Sequence, residues 1–396
     1  MLMTSKINRD EKLRILQVLP SLVSGGVERG TLDLCQHLIQ QGHEAWVISS
    51  GGPLVKTLEG LGAKHINLNV HSKNPFTIWK NSQTLKRLIE KHQFDLVHAR
   101  SRAPAWSCYW ASNKTNVPFI TTFHGQYGHQ NSLKRFYNSV MLKGDACIAV
   151  SQFIESHIKM VYPQHHTNIK LIPRGIDLAT FSQSQACKEN ALALRDKWNI
   201  AKDDKVIVLP GRLTRLKGHQ TFLEAITQLK ELDSVHCLIV GDEPGKEHYQ
   251  QELQVFIDKH NLAQKVQFTG NYYDMPTVYQ LADIVISASI KPESFGRTAC
   301  EAQAMGCIVI ATKHGGSLET ISPAQQQFMC EVKDSESMAK SIKKALNYCD
   351  DKKQLDRSKI AESSRTYIEE NFSLNKMCGD TIALYQELTS KDAGQR

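Results

Sequence analysis

"KVIVLPG" (205–211) is the stretch on which the fold turns. Four consecutive apolar residues, closed by proline and glycine, describe a strand buried on both faces, as in a parallel sheet. It follows a polar interval, residues 182–204, in which one short helix is expected. The same grammar runs on both sides of that interval. Upstream, "LRILQVL" (13–19) reads as a strand, and "VERGTLDLCQHLIQQG" (27–42) reads as a helix. In that helix Leu32, Cys35, Leu38 and Ile39 share a face, and Gly42 supplies the stop. Strands are expected again at 45–49, 95–99, 119–123, 146–150 and 169–173. Downstream they are expected at 235–242, 265–270, 283–289 and 307–312. Residues 353–390 read as helices. An alternation that runs, pauses and restarts means two doubly wound α/β domains, with a boundary near 175–205.

Length agrees, since 396 residues exceed one ordinary core and suit two domains. Apolar residues make up 41% and charged residues 22%, so disorder is not expected. The net charge of +8 is uneven. Residues 1–180 carry 21 Lys and Arg against 11 Asp and Glu, whereas residues 181–396 carry 27 against 29. The basic half suits an anionic partner such as an acidic lipid surface, a phosphorylated acceptor or nucleic acid. A solubilising surface is the competing account. The ten cysteines form no Cys-x-x-Cys pair and point to a reduced, intracellular protein, with Cys300 and Cys307 packing around one helix. "MLMTSKINRDEK" (1–12) is too polar for a signal peptide, and no apolar run reaches the ~18 residues of a membrane span.

In open parallel sheets ligands bind beyond the carboxyl ends of strands. Four loops there carry chemistry. In "PSLVSGGVERG" (20–30), Gly25 and Gly26 open a helix and permit close approach of a phosphate. The spacing is neither Gly-x-Gly-x-x-Gly nor a Walker loop, so a structural turn competes. In "PGRLTRLKGHQTF" (210–222), Arg212 and Lys217 offer a planar fork and a point charge to a diphosphate. In "KPESFGRTACEAQAMG" (291–306), Ser294 or Thr298 is expected to cap a helix that Gly306 ends. The amides of Gly296, Arg297 and Thr298 would meet an anion at its N-terminus. Glu293 precedes those amides and Glu301 follows them. A glycosidase pair would need both carboxylates at one bond, whereas this layout suits a sugar, a diphosphate and a ribose in a row. In "TTFHGQYG" (121–128), His124 follows a strand and would serve as donor or base, or be a satisfied histidine.

Together these loops resemble the family 4 retaining glycosyltransferases of the GT-B fold, in family order and over nearly the whole chain. "PESFGRTACEAQAMG" is similar to the family's Glu-x7-Glu motif, "GRLTRLKG" to its diphosphate-binding Arg and Lys, "SGGVER" to its amino-terminal glycine loop, "FHG" to its histidine loop and "HGGSLE" (314–319) to its Gly-Gly-x-x-Glu segment. The resemblance implies two Rossmann-like domains facing across a deep cleft. Residues 1–180 would be the acceptor side, residues 181–372 would bind the nucleotide sugar, and residues 373–396 would form a helix crossing back. It implies that Arg212 and Lys217 neutralise the donor diphosphate, that the amides near Phe295, Gly296, Arg297 and Thr298 support it, and that Gly25 and Gly26 pack beside it. Glu293 would hold the donor sugar's hydroxyls, Glu301 the nucleotide ribose, and His124 would contact the sugar or assist transfer. The family uses neither metal nor other cofactor, and no Asp-x-Asp is present.

A UDP-sugar donor is favoured, with Tyr272 and Tyr273 placed to stack on the base; a GDP-mannose-dependent mannosyltransferase is the alternative. The expected acceptor is a glycan or lipid-linked glycan, in bacterial lipopolysaccharide or surface polysaccharide synthesis at the cytoplasmic face of the cell membrane. Trp79, Trp106 and Trp110, with Lys134 and Arg135, are candidate anchors to an anionic membrane, against a core role for the rings. A nucleotide-sugar epimerase and a non-catalytic sugar-nucleotide sensor are the rival functions. Nucleic acid is not expected, because basic–aromatic motifs are absent.

Overall fold

A computed structural model describes residues 12–393, apart from 24, 166, 230–233, 243, 244, 246 and 350–353. The polar amino-terminal stretch lies almost wholly outside the described residues. The chain divides into two compact units. Unit 1 comprises residues 1–172 with 377–396, and unit 2 comprises residues 173–376.

Unit 1 holds strands β1 (Arg14–Val18), β2 (Glu44–Ser49), β3 (Lys64–Asn67), β4 (Leu96–Ala99), β5 (Phe119–Phe123), β6 (Ala146–Ala149) and β7 (Ile169–Leu171). They form one parallel sheet in the order β3-β2-β1-β4-β5-β6-β7. The apolar pattern does not announce β3. Its residues, Lys-His-Ile-Asn, lie at the sheet edge, where one side has no neighbour and little apolar surface is needed. Helices Gly26–Gln40, Pro75–His92, Arg102–Thr115 and Gln152–Val161 cover the sheet. In the first, Leu32, Cys35 and Leu38 are buried as the spacing requires, and Leu34 joins them.

Unit 2 holds β8 (Lys205–Pro210), β9 (Val235–Val240), β10 (Val266–Gly270), β11 (Ile284–Ser287) and β12 (Ile308–Ala311), parallel in the order β10-β9-β8-β11-β12. In β8, Val206 and Val208 enter one core and Ile207 and Leu209 the other, so both faces of the strand are covered. That is why the run is apolar at every position rather than at alternate ones. The polar interval carries the helix Gln185–Lys197.

The chain ends in helices Gln354–Phe372 and Leu374–Ala393. The segment leading into unit 2 lies beside the segment leaving it. Ile176 N–H donates to the Phe372 carbonyl at 2.8 Å, and Leu374 N–H donates to the Ile176 carbonyl at 2.9 Å. From residue 377 the last helix packs within unit 1, where the Tyr385 hydroxyl hydrogen-bonds His98 Nδ1 at 2.6 Å.

The membrane-anchor expectation is corrected for Trp106. Its ring is 8% exposed in the unit 1 core, and its indole N–H donates to the Tyr137 carbonyl at 3.0 Å. Trp110 is half-buried, and Trp79 is exposed. All ten cysteines are buried thiols. Among the described residues no helix is long and apolar enough to cross a membrane.

Candidate functional site

Both sheets reverse direction of winding beside their first strand, between β1 and β4 and between β8 and β11. Crevices form at the carboxyl ends of such strand pairs. In unit 2 the loops leaving β8 and β11 are the two that carry Arg212, Lys217 and Glu293.

The β8 loop closes in a 3-10 turn, Arg215–Lys217, followed by Gly218 at φ 75°. A Cβ on Gly218 would stand 2.0 Å from the Ala288 carbonyl oxygen, so only glycine lets this turn lie on the end of β11. Ile290 N–H then donates to the Leu216 carbonyl at 2.9 Å. This close approach brings Lys217 Nζ to 2.6 Å from Glu293 Oε1. Ser289 donates its hydroxyl to the same carboxylate oxygen, and His314 Nε2 donates to the Ser289 carbonyl at 2.7 Å. Burial pushes the Glu293 carboxyl up. The Lys217 charge and hydrogen bond, with Ser289 and His314, outweigh it and hold the carboxyl below its ordinary value. Glu293 is therefore an anion at neutral pH, paired with Lys217. Arg212 lies exposed on the same loop.

"HGGSLE" has a steric reason that spacing alone does not supply. A Cβ on Gly315 would come 2.7 Å from the Glu293 carbonyl oxygen, and one on Gly316 would come 2.7 Å from Phe295 Cα. Gly316 N–H donates to the Glu293 carbonyl at 2.8 Å. The two glycines thus press the loop 292–295 into place from behind.

The motif helix is Arg297–Ala304. The expected cap is corrected. Neither Ser294 nor Thr298 caps it; Gly296 is the N-cap, at φ 95°, with no side-chain hydrogen bond to the first turn. A left-handed N-cap favours glycine, which brings no side chain of its own to the amides of the first turn. Gly306, at φ 79°, ends the helix as the sequence suggests. Phe295 is 3% exposed and packs edge-on to Phe372 at 5.4 Å. Its ring belongs to the core, and only its backbone faces the loop.

Glu301 is 7% exposed. It accepts from Arg297 Nε at 2.7 Å, one helical turn away, and from the Tyr279 hydroxyl at 3.0 Å. Burial raises its carboxyl above the ordinary value, against the lowering effect of Arg297 and Tyr279. Tyr279 and His314 escape a reading of the sequence because their partners are 22 and 25 residues away in the chain, whereas Ser289 lies only 4 residues before Glu293 and could have been found as its local partner. Tyr272 packs against Trp198 at 5.5 Å, and Tyr273 is 90% exposed beyond the carboxyl end of β10.

In unit 1, Gly25 caps the helix that Gly26 begins, just past β1, and His124 follows β5 directly and is half-buried. Both stand at the carboxyl edge of that sheet. Among the described residues no cluster of His, Cys, Asp and Glu has the make-up of a metal site.

The model of the family described as "Glycosyl transferases group 1" matches residues 191–363, and that described as "Glycosyltransferase Family 4" matches residues 24–180. A glycosyltransferase from Rickettsia africae ESF-5 is 40% identical, with a TM-score of 0.87 over 95% of this chain and 98% of that one. HepE from Anabaena, solved with UDP-glucose, is 22% identical, with a TM-score of 0.75 over 97% of this chain and 100% of that one. N-acetyl-alpha-D-glucosaminyl L-malate synthase of Bacillus anthracis is 24% identical over 96% of this chain and 98% of its own length. With two doubly wound units, the Lys217–Glu293 loop pair and these matches across both units, the chain belongs to the family 4 glycosyltransferases of the GT-B fold.

Proposed function

We propose that this protein transfers a sugar, with retention at the anomeric carbon, from a UDP-sugar to a glycan or lipid-linked acceptor. The observation that carries the reading is the contact of Lys217 with Glu293 beside the uncapped amide end of Arg297–Ala304. A cation, a carboxylate and a helix N-terminus within one loop pair match the three parts of a nucleotide sugar near its scissile bond.

In this mechanism Arg212, Lys217 and the amides after Gly296 hold the diphosphate. They stabilise the charge that builds on its leaving oxygen. Glu293 accepts hydrogen bonds from the sugar's hydroxyls once Lys217 has turned to the diphosphate. Glu301 accepts the ribose hydroxyls on its remaining lone pairs, since an ionised carboxylate has about four acceptor sites and two are engaged. The bond from C1 to the β-phosphate oxygen breaks and its electron pair stays on that oxygen. The acceptor oxygen joins C1 on the same face, and its proton passes to the leaving phosphate. His124 contacts the sugar during this step. HepE, of the same fold, was solved with UDP-glucose, which supports a uridine donor here. The basic amino-terminal half and its exposed aromatic residues support work on surface polysaccharide or lipopolysaccharide at the cytoplasmic face of an anionic membrane.

Thermal-shift titration with UDP- and GDP-sugars tests the donor. A ligand at a hundredfold excess over its Kd stabilises by about 2.7 kcal/mol. A UDP-sugar should raise Tm, GDP-mannose should not, and Glu301→Ala should abolish the shift. An unchanged shift in Glu301→Ala removes the ribose role. Release of free UDP on turnover separates an enzyme from a sensor.

A further inference from the structure

The loop leaving β4 begins with Arg100, which has no part in holding the donor. Its backbone N–H donates to the Val18 carbonyl at 2.8 Å, which ties it to the end of β1 and places it at the strand reversal of unit 1. The side chain is 6% exposed. Its Nε is buried without a hydrogen-bond partner. The charged and titratable neighbours compensate it only in part. Tyr385, Cys378 and Cys35 are held neutral by burial, with both thiols pushed up to about 12. Asp33 is the weakest of its electrostatic neighbours and pairs with Arg29 at 3.4 Å. Burial accordingly lowers the Arg100 guanidinium below its ordinary value.

The neighbouring helix makes room for this group. Gly30 lies inside Gly26–Gln40, and a Cβ there would come 3.3 Å from Arg100 Nη2. Glycine inside a helix costs about 0.5–1 kcal/mol relative to alanine, so the chain gives up stability beside the guanidinium as well as at it. A buried guanidinium nitrogen left without a hydrogen-bond partner is costly to retain. Arginine's planar fork is suited to oxyanions, and the carboxyl end of β4 at a strand reversal is where a ligand enters such a sheet.

We propose that Arg100 is the anchor of an oxyanion site in unit 1, holding a phosphate or carboxylate group carried by the acceptor. The inference rests on the glycosyl-transfer reading of the same chain and deepens it: the acceptor is an anionic molecule, and unit 1 selects it by that charge.

The test uses the full chain saturated with UDP, so that the donor's own anion site is filled. Inorganic phosphate is then titrated, with malonate and neutral glucose as parallel arms, and Tm is followed. The wild type should gain further stabilisation from phosphate or malonate and none from glucose; the better of the two anions identifies the group. Arg100→Met should weaken the anion response about tenfold or more, leave the UDP response intact, and raise Tm without ligands, because the burial cost of the guanidinium and its unpartnered Nε is gone. Arg100→Lys should retain part of the anion response. An arginine kept only for packing behaves oppositely: Arg100→Met then lowers Tm or fails to fold, and the wild type shows no anion response under UDP. Either result overturns the proposal. If UDP itself does not bind, the donor reading fails separately, and the same titration in Lys217→Ala still reads the unit 1 site.

Discussion

Glu293 and Glu301 belong to one motif and have opposite electrostatics. Glu293 ionises more readily than an ordinary glutamate because Lys217 and Ser289 hold its anion. With a folded pKa below the unfolded one, it contributes stability above the unfolded pKa, and that stability is lost as pH falls through the folded pKa. Glu301 is the reverse. Its folded pKa is raised, so the native state binds its proton more tightly than the unfolded chain. Its contribution is therefore lost as pH rises from the unfolded pKa through the folded one. Glu293→Gln should cost about 1–3 kcal/mol at pH 7 by leaving Lys217 unpaired. Glu301→Gln should leave ligand-free stability unchanged or higher at pH 7 while weakening UDP binding. Urea denaturation at pH 5 and pH 7 checks both. The Glu301→Gln advantage over wild type should shrink at pH 5, and growth there would refute the assignment.

At the scale of elements, the site depends on one turn lying flat against the end of one strand. Gly218 allows this, with φ 75° and no Cβ to strike the Ala288 carbonyl. Gly218→Ala adds left-handed strain, about 1–2 kcal/mol, and a contact that must move the 3-10 turn off β11. Lys217 would move with it. The expected outcome is a lower urea midpoint together with UDP affinity reduced by at least as much as in Lys217→Ala. Normal UDP affinity in a destabilised Gly218→Ala protein would show that the turn does not position Lys217. The sequence places a glycine directly after Lys217. It did not indicate which strand the glycine touches, because Ala288 is distant in sequence and adjacent only once β8 and β11 pair.

At the scale of the whole molecule, unit 1 presents apolar side chains on two helices that both pack on Arg102–Thr115. Phe76 and Trp79 are 71% and 53% exposed on Pro75–His92, while Leu133 and Phe136 are 79% and 65% exposed on Ser132–Ser139. The Ser107 hydroxyl donates to the Ile78 carbonyl at 3.0 Å, and the Trp106 ring meets Phe136 at 5.4 Å. Lys73, Lys80, Lys134 and Arg135 flank these residues in sequence. Sedimentation should show binding to phosphatidylglycerol vesicles and not to phosphatidylcholine vesicles, weakened by 0.5 M salt over roughly a threefold shorter Debye length than at 0.05 M. A Trp79→Ser, Phe136→Ser variant should lose that binding and keep UDP affinity. Equal binding to both vesicle types would exclude an anionic membrane as partner.

Two doubly wound sheets, the glycine loop, the basic loop and the Glu-x7-Glu helix were all determined by local sequence. Each rests on short-range physics: apolar runs for strands buried on both faces, 3.6-residue spacing for helices, glycine at turns. Trp106 as core, Phe295 as core, Gly296 as cap in place of Ser294 or Thr298, and the distant partners Lys217 of Glu293 and Tyr279 of Glu301 were decided by tertiary structure. So was the cost hidden at Arg100. Burial and partnership are properties of what the sheet brings together, and strand order places residues from distant parts of the chain side by side in ways that no local window of sequence contains.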